Sequence, residues 1–161
     1  MSQEIEKQLK CWLAYAKKVV IAGIGNPIRT DDYVGLKIVE ALKGKLSRNV
    51  LLLEAETVPE SYLQDIEEFA PSHVLLLDAA FLSLAPGEAR LLDSDQIAGY
   101  SAVTTHLLPL RIFCDYIRAA TEAKIALLLV EPKSMDFGEG LTAEVEAAAQ
   151  RITQILQDLL G

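Results

Sequence analysis

Short apolar runs that alternate with helical patterns restrict the fold of this chain more than any other feature. The runs are 19–22, 50–53, 74–77 and 125–130. They are typical of strands in a parallel sheet, because both faces of such a strand are covered by helices. Segments between and after these runs carry apolar residues at helical spacing, which predicts amphipathic helices; the clearest is 145–159. The alternation predicts a three-layer α/β sandwich with a mostly parallel, twisted sheet of about five strands and helices on both faces.

One connection departs from this alternation. The link 81–87 is too short for a helical crossover, which needs about a dozen residues. The following strand, 88–92, is therefore expected to run antiparallel to its predecessor at a sheet edge. The length of 161 residues fits one domain, 1–161, in which 1–17 form an extra N-terminal helix.

The charge balance excludes several classes of partner. Fifteen basic and 23 acidic residues give a formal charge of −8, which disfavours nucleic acid and anionic membrane surfaces. No N-terminal signal pattern and no apolar run long enough for a bilayer are present, so a cytoplasmic protein without membrane insertion is expected. The sequence does not determine the oligomeric state, and a monomer is the expectation. Cys11 and Cys114 lie in helical patterns without CxxC spacing. They are predicted to be reduced core residues.

The loop after the first strand carries two adjacent carboxylates. Gly23 and Gly25 suggest a dinucleotide-binding loop, but Ile28 occupies the third glycine position. Asp31 and Asp32 would repel a phosphate at the following helix N-terminus. The loop suits a cation or a substrate that carries one; helix capping is the alternative role for both carboxylates.

Asp78 follows the third apolar run and ends a predicted buried strand. In the common strand order 2-1-3, the first and third strands are neighbours, and ligands bind beyond their carboxyl ends. Asp32 and Asp78 are therefore predicted to face each other across one crevice. The alternative for Asp78 is a cap of the next turn.

The two histidines of the chain differ in their surroundings. His73 begins the third strand and is predicted to be a solvent-facing edge residue. His106 lies in a threonine-rich loop at the same end of the sheet as Asp78; a hydrogen-bonded loop histidine is the alternative. Asp32, Asp78 and His106 together offer two oxygens and one nitrogen. Three protein ligands leave coordination positions open, as at a reacting metal.

Several short motifs resemble those of the hydrogenase maturation endopeptidases. They are 23–26 (GIGN), 31–32 (DD), 77–79 (LDA) and 104–106 (TTH). Segments 86–93 and 104–110 resemble the branch that serves the hydrogenase of formate hydrogenlyase-type complexes. Two features depart from the family pattern: Tyr33 stands where many members have glycine, and the loop 54–59 replaces a glycine-containing loop.

The resemblance implies an aspartyl-type endopeptidase that acts on the precursor of a [NiFe] hydrogenase large subunit. Such enzymes remove a short C-terminal extension after nickel insertion. By similarity, Asp32, Asp78 and His106 would be both the catalytic residues and the nickel contacts, with the nickel delivered by the precursor. The predicted substrate-binding residues are Asn26, Asp31, Glu56 and Thr105.

Two other functions fit the same residues. The first is a metallopeptidase with its own tightly bound zinc, and the second is a non-catalytic module that binds and escorts nickel. No Ser-His-Asp pattern, GxSxG or HExxH motif is present, so the sequence does not support a conventional nucleophile or zinc protease helix.

Overall fold

A computed structural model of the chain describes residues 2–99 and 107–161. Within these residues the chain forms five strands and five α-helices, with three short 3-10 helices at Thr30–Tyr33, Pro59–Tyr62 and Ser94–Gly99. The strands are Val19–Ile24 (β1), Val50–Glu56 (β2), His73–Ala79 (β3), Ala89–Asp93 (β4) and Lys124–Val130 (β5). The α-helices are Ser2–Trp12 (α1), Val34–Leu42 (α2), Leu63–Phe69 (α3), Leu107–Ala120 (α4) and Ala143–Leu160 (α5).

The strands form one sheet in the order β2-β1-β3-β5-β4. The pairs β1–β2, β1–β3 and β3–β5 are parallel, and β4 runs antiparallel to β5. The predicted fold class is confirmed, including the neighbouring positions of β1 and β3 and the antiparallel edge strand. The hydrogen-bonding partner of β4 is β5, which lies between β3 and β4.

Two apolar clusters cover the two faces of the sheet. Helices α1, α2 and α5 pack on one face, and α3 and α4 pack on the other. Neighbouring residues of β3 contribute to opposite clusters: Leu75 and Leu77 to the first, Val74 and Leu76 to the second. Burial on both faces explains why the strands are uninterrupted apolar runs rather than alternating ones.

Helix α1 lies against α5 and β4, and Ile5 and Leu9 bury its apolar stripe. Cys11 lies off this stripe and is exposed, so its prediction as a core residue is wrong. Cys114 is buried, as predicted, and burial raises the pKa of its thiol to about 11. None of the helices within 2–99 and 107–161 combines the length and apolar character needed to cross a bilayer.

His73 is buried, so the prediction of a solvent-facing edge residue is wrong. The residue begins β3, which has a strand on each side, and the Trp12 ring packs edge-on against the imidazole with centroids 5.0 Å apart. Burial, followed by the positive charge of Lys124, lowers the pKa of His73. A helix added before the first strand thus covers a position that would otherwise face water.

Candidate functional site

The two carboxylates predicted to form a site are buried at the carboxyl end of the sheet, where the parallel strands end. Asp78 lies in β3 and is fully buried, and its Oδ1 accepts a hydrogen bond of 2.8 Å from the Ala79 amide. Asp32 lies in the 3-10 helix after β1 and is 1% exposed. Its Oδ2 accepts a hydrogen bond of 2.8 Å from the Asn26 amide. Burying a carboxylate is costly, so two at one end of a sheet mark a candidate functional site.

Two glycines let the start of α2 rest directly on the sheet. A Cβ on Gly35 would lie 2.2 Å from the Leu77 carbonyl oxygen, and a Cβ on Gly23 would lie 2.5 Å from the Gly35 oxygen. Backbone therefore contacts backbone at both places. Gly35 follows Asp32 by three residues, a span of at most roughly 10 Å, and Leu77 directly precedes Asp78. This contact places both carboxylates in the same region of the sheet end.

Gly25 joins three segments of the site. Its amide donates to the Glu56 carbonyl oxygen at 2.8 Å, which ties the loop to the end of β2. Its φ of +135° suits glycine, and a Cβ there would lie 1.8 Å from the Asp32 carbonyl oxygen. The Asn26 side chain accepts a hydrogen bond of 3.1 Å from the Ile28 amide. These contacts with β2 and within the loop fix the loop around Asp32.

Asp31 is fully buried and holds the loop between β5 and α5. Its carboxylate accepts hydrogen bonds from the amides of Lys133, Ser134 and Thr142 at 2.8, 3.0 and 2.8 Å, and from the Thr142 hydroxyl. The Asp31 amide also donates to the Ser134 carbonyl oxygen. These contacts show a positioning role for Asp31; its predicted contact with substrate stays a prediction.

Capping of a helix N-terminus does not explain the two adjacent carboxylates, Asp31 and Asp32. The N-cap positions of the 3-10 helix and of α2 are Arg29 and Tyr33, and neither makes a side-chain cap hydrogen bond. Asp31 binds amides far away along the chain, and Asp32 binds the Asn26 amide in the preceding loop. Both carboxylates therefore organise loops at the sheet end.

We expect Asp31→Asn to destabilise the fold by about 2 kcal/mol, because an NH2 group would replace one acceptor that faces buried amide donors. Urea unfolding measures the loss, and hydrogen exchange should show lower protection of the Lys133, Ser134 and Thr142 amides. The control is Asp136→Asn, an exposed carboxyl in the same loop, which should change stability by less than about 0.5 kcal/mol. Equal stability of Asp31→Asn and wild type would contradict the positioning role.

Glu131 is a buried acid that the sequence analysis missed. It follows β5 directly, is 5% exposed, and its Oε1 accepts hydrogen bonds from the amides of Leu82 and Leu84 at 2.6 and 3.2 Å. Its backbone also pairs with Gly87 and Glu88. It thereby fixes the connection between β3 and β4. The sequence carries a signal for Glu131, because this residue, like Asp78, is an acid at the end of an apolar strand.

The structure tests the remaining predicted site residues only in part. His106 and Thr105 lie outside the described residues. Glu56 ends β2 with a φ of +52°, and its side chain is exposed. His73 is no substitute ligand, because five strand residues place it roughly 16 Å from Asp78. Across the described ranges, no group of three or more His, Cys, Asp or Glu residues is arranged to hold a metal ion.

Tyr33, which follows Asp32 directly, contacts an acid on α2. Its hydroxyl donates a hydrogen bond to Glu40. Burial, then this hydrogen bond and the surrounding negative charge, raise the pKa of Tyr33 to about 12. The phenol is therefore neutral near pH 7 and serves as a hydrogen-bond donor.

The fold and the site define an α/β protein with an acidic site at the carboxyl end of a doubly wound sheet. The family model HycI, hydrogenase maturation protease, matches residues 36–158. The chain therefore belongs to the hydrogenase maturation protease family.

Individual relatives and structures agree with this assignment. A relative from Methanocaldococcus jannaschii, which is named provisionally as a hydrogenase maturation protease, is 32% identical in sequence. The match covers 92% of this chain and 91% of the relative. The Hydrogenase 3 maturation protease of Escherichia coli is 28% identical, with 88% and 90% covered. The crystal structure of the [NiFe] hydrogenase maturation protease HycI from Thermococcus kodakarensis KOD1 has a TM-score of 0.88 at 32% identity, covering 95% of this chain and 98% of that one.

Proposed function

We propose that this chain is an endopeptidase that removes a C-terminal extension from the nickel-loaded precursor of a [NiFe] hydrogenase large subunit, in the branch that serves formate hydrogenlyase-type hydrogenases. Membership of the hydrogenase maturation protease family supports the protease activity and implies a hydrogenase large-subunit precursor as substrate. Nickel dependence, the C-terminal position of the cut and the branch are the proposed parts.

The observation that supports the site is the burial of Asp32 and Asp78 at one end of the sheet, linked through the contact between Gly35 and Leu77. Carboxylate oxygens and an imidazole nitrogen form a donor set that accepts nickel. We assign His106 as the third contact. Three contacts leave positions through which ligands of the precursor would remain bound to the ion.

In this proposal the nickel is part of the substrate and orients the peptide bond next to it. A divalent ion polarises a carbonyl group or a water molecule, which is worth several kcal/mol in the transition state. A neighbouring carboxylate is suited to accept the proton of the attacking water. The loops that carry Asp32 are fixed by Gly25 and Asp31, so the carboxylate is positioned before substrate binds.

The cysteines do not supply a nucleophile in this mechanism. Cys114 lies on the buried face of α4, and a pKa of about 11 leaves its thiol protonated near pH 7. Cys11 lies on α1, which packs against α5 and β4. The proposed nucleophile is therefore a water molecule rather than a cysteine thiol, and no covalent intermediate forms.

The experiment is to offer the purified protein the same precursor with and without nickel, after measuring the metal content of the protease. We expect cleavage of the loaded precursor alone, by a protease that retains no stoichiometric metal after dialysis. Equal cleavage of the nickel-free precursor would contradict nickel recognition. Stoichiometric zinc that survives dialysis would favour the zinc metallopeptidase, and nickel binding without cleavage would favour the escort module.

A further inference from the structure

Exposed apolar side chains are concentrated at the carboxyl end of the sheet. Within the described parts of the chain, seven large apolar residues are exposed. Four of them, Ile28, Val58, Phe81 and Phe137, lie on the loops that follow β1, β2, β3 and β5. Exposed apolar groups that gather around a candidate site, rather than being scattered singly, indicate a binding surface.

The register of one backbone bridge places Ile28 and Phe137 at neighbouring positions. Arg29 pairs with Gly138 in an isolated parallel bridge, in which the Gly138 amide donates to the Ile28 carbonyl oxygen at 2.9 Å and the Thr30 amide donates to the Gly138 oxygen at 3.1 Å. Residues one position before each partner of a parallel bridge are neighbours on the same face. Ile28 is 50% exposed and Phe137 is 83% exposed. We call this pair the Ile28–Phe137 patch.

The loop that carries Phe137 is held firmly. The Thr30 hydroxyl donates to the Asp136 carbonyl oxygen at 2.7 Å, and Arg29 Nε donates to the Met135 oxygen at 3.2 Å. Asp31 binds the amides of Lys133 and Ser134 in the same loop. Because the backbone of this loop is already fixed, little backbone conformational entropy is lost when a partner covers Phe137, and this favours binding.

We propose that the Ile28–Phe137 patch docks an apolar segment of the hydrogenase large-subunit precursor beside the peptide bond that is cut. This inference rests on the proposed function. The patch is continuous with the site, because Ile28 donates to Asn26, whose amide binds Asp32. Docking there sets the affinity for the precursor, whereas Asp32 and Asp78 act on the bond itself.

Charge indicates the chemistry of the docked segment. Asp136 and Glu139 are exposed on either side of Phe137, and the one lysine of this loop, Lys133, forms an ion pair of 2.9 Å with Glu144. Arg29, next to Ile28, is half-buried with its Nε on the Met135 carbonyl oxygen, so the two exposed acids outnumber this one cation. The surface therefore complements an apolar residue with lysine or arginine nearby. A second copy of this chain, with a formal charge of −8 and the same acids, is disfavoured as the occupant.

The test compares cleavage kinetics of the nickel-loaded precursor by wild type, Phe137→Ser and Ile28→Ser. We expect each variant to raise KM roughly tenfold while kcat at saturating precursor stays within about twofold, because burial of a large apolar side chain is lost on binding. Phe137→Leu should restore most of the affinity. The control is Tyr15→Ser, which removes a 98% exposed ring at the opposite end of the sheet and should leave KM unchanged.

The outcomes separate this inference from the proposed function. An unchanged KM for Phe137→Ser, with normal cleavage by wild type, overturns the patch and leaves the proposed function intact. No cleavage by wild type overturns the proposed function, and the patch with it. Sedimentation is the second readout: a wild-type dimer that Phe137→Ser converts to a monomer would make a second copy the occupant and contradict the inference.

Discussion

Asp78→Asn is expected to lower cleavage of the nickel-loaded precursor by about a thousandfold or more. Asparagine has nearly the same shape and can still accept the hydrogen bond of the Ala79 amide. It lacks the negative charge that would contact the cation and accept a proton, and removal of such a group costs about 10²- to 10⁴-fold. The rate of precursor conversion, followed by mass spectrometry, measures the effect.

A matched substitution separates the loss of function from a loss of folding. Asp65→Asn makes the same chemical change at an exposed position of α3 and should leave both rate and stability unchanged. Asp78→Asn should unfold cooperatively, as wild type does. Cleavage by a folded Asp78→Asn protein at the wild-type rate would remove Asp78 from the mechanism.

Gly35→Ala is expected to destabilise the protein by about 3 kcal/mol, although alanine in place of glycine ordinarily stabilises a helix by about 0.5–1 kcal/mol. The added Cβ would lie 2.2 Å from the Leu77 carbonyl oxygen, which belongs to a buried strand and has no free space to move into. For a chain of this size the loss corresponds to a fall in Tm of about 6–12 °C. Urea and thermal unfolding measure it.

Gly44→Ala is the control for Gly35→Ala. A Cβ there meets no atom within 4 Å, so only the φ of +76° opposes the substitution, at about 1 kcal/mol. A Gly35→Ala protein as stable as wild type would show that α2 does not rest on β3. A contact other than that between Gly35 and Leu77 would then have to bring Asp32 and Asp78 together.

The sheet could be predicted because burial on both faces leaves a strong signal. Apolar runs locate four parallel strands, and the short link 81–87 predicts the direction of β4. The partner of β4 is harder to predict, because insertion of β5 beside β3 depends on contacts far apart along the chain. The apolar runs and the short link thus predict the fold class and the direction of β4. Tertiary packing determines which strand lies next to β4.

The position of Asp32 and Asp78 could be predicted from the strand ends, whereas their catalytic role stays a prediction. Asp78 ends an apolar run, and the strand order brings the loop of Asp32 to the same place. The role of Asp31 was not predictable, because its partners Lys133, Ser134 and Thr142 are about a hundred residues away. The burial of His73 was missed for a similar reason, since Trp12 covers it from a helix outside the alternating pattern.

The most direct measurement is the mass spectrum of a nickel-loaded large-subunit precursor before and after incubation with this protein. We predict two products whose masses sum to the precursor plus one water, the smaller being its C-terminal peptide. The Asp78→Asn protein should leave the precursor intact under the same conditions. An uncut precursor with wild-type protein, or a cut elsewhere in the precursor, would contradict the account.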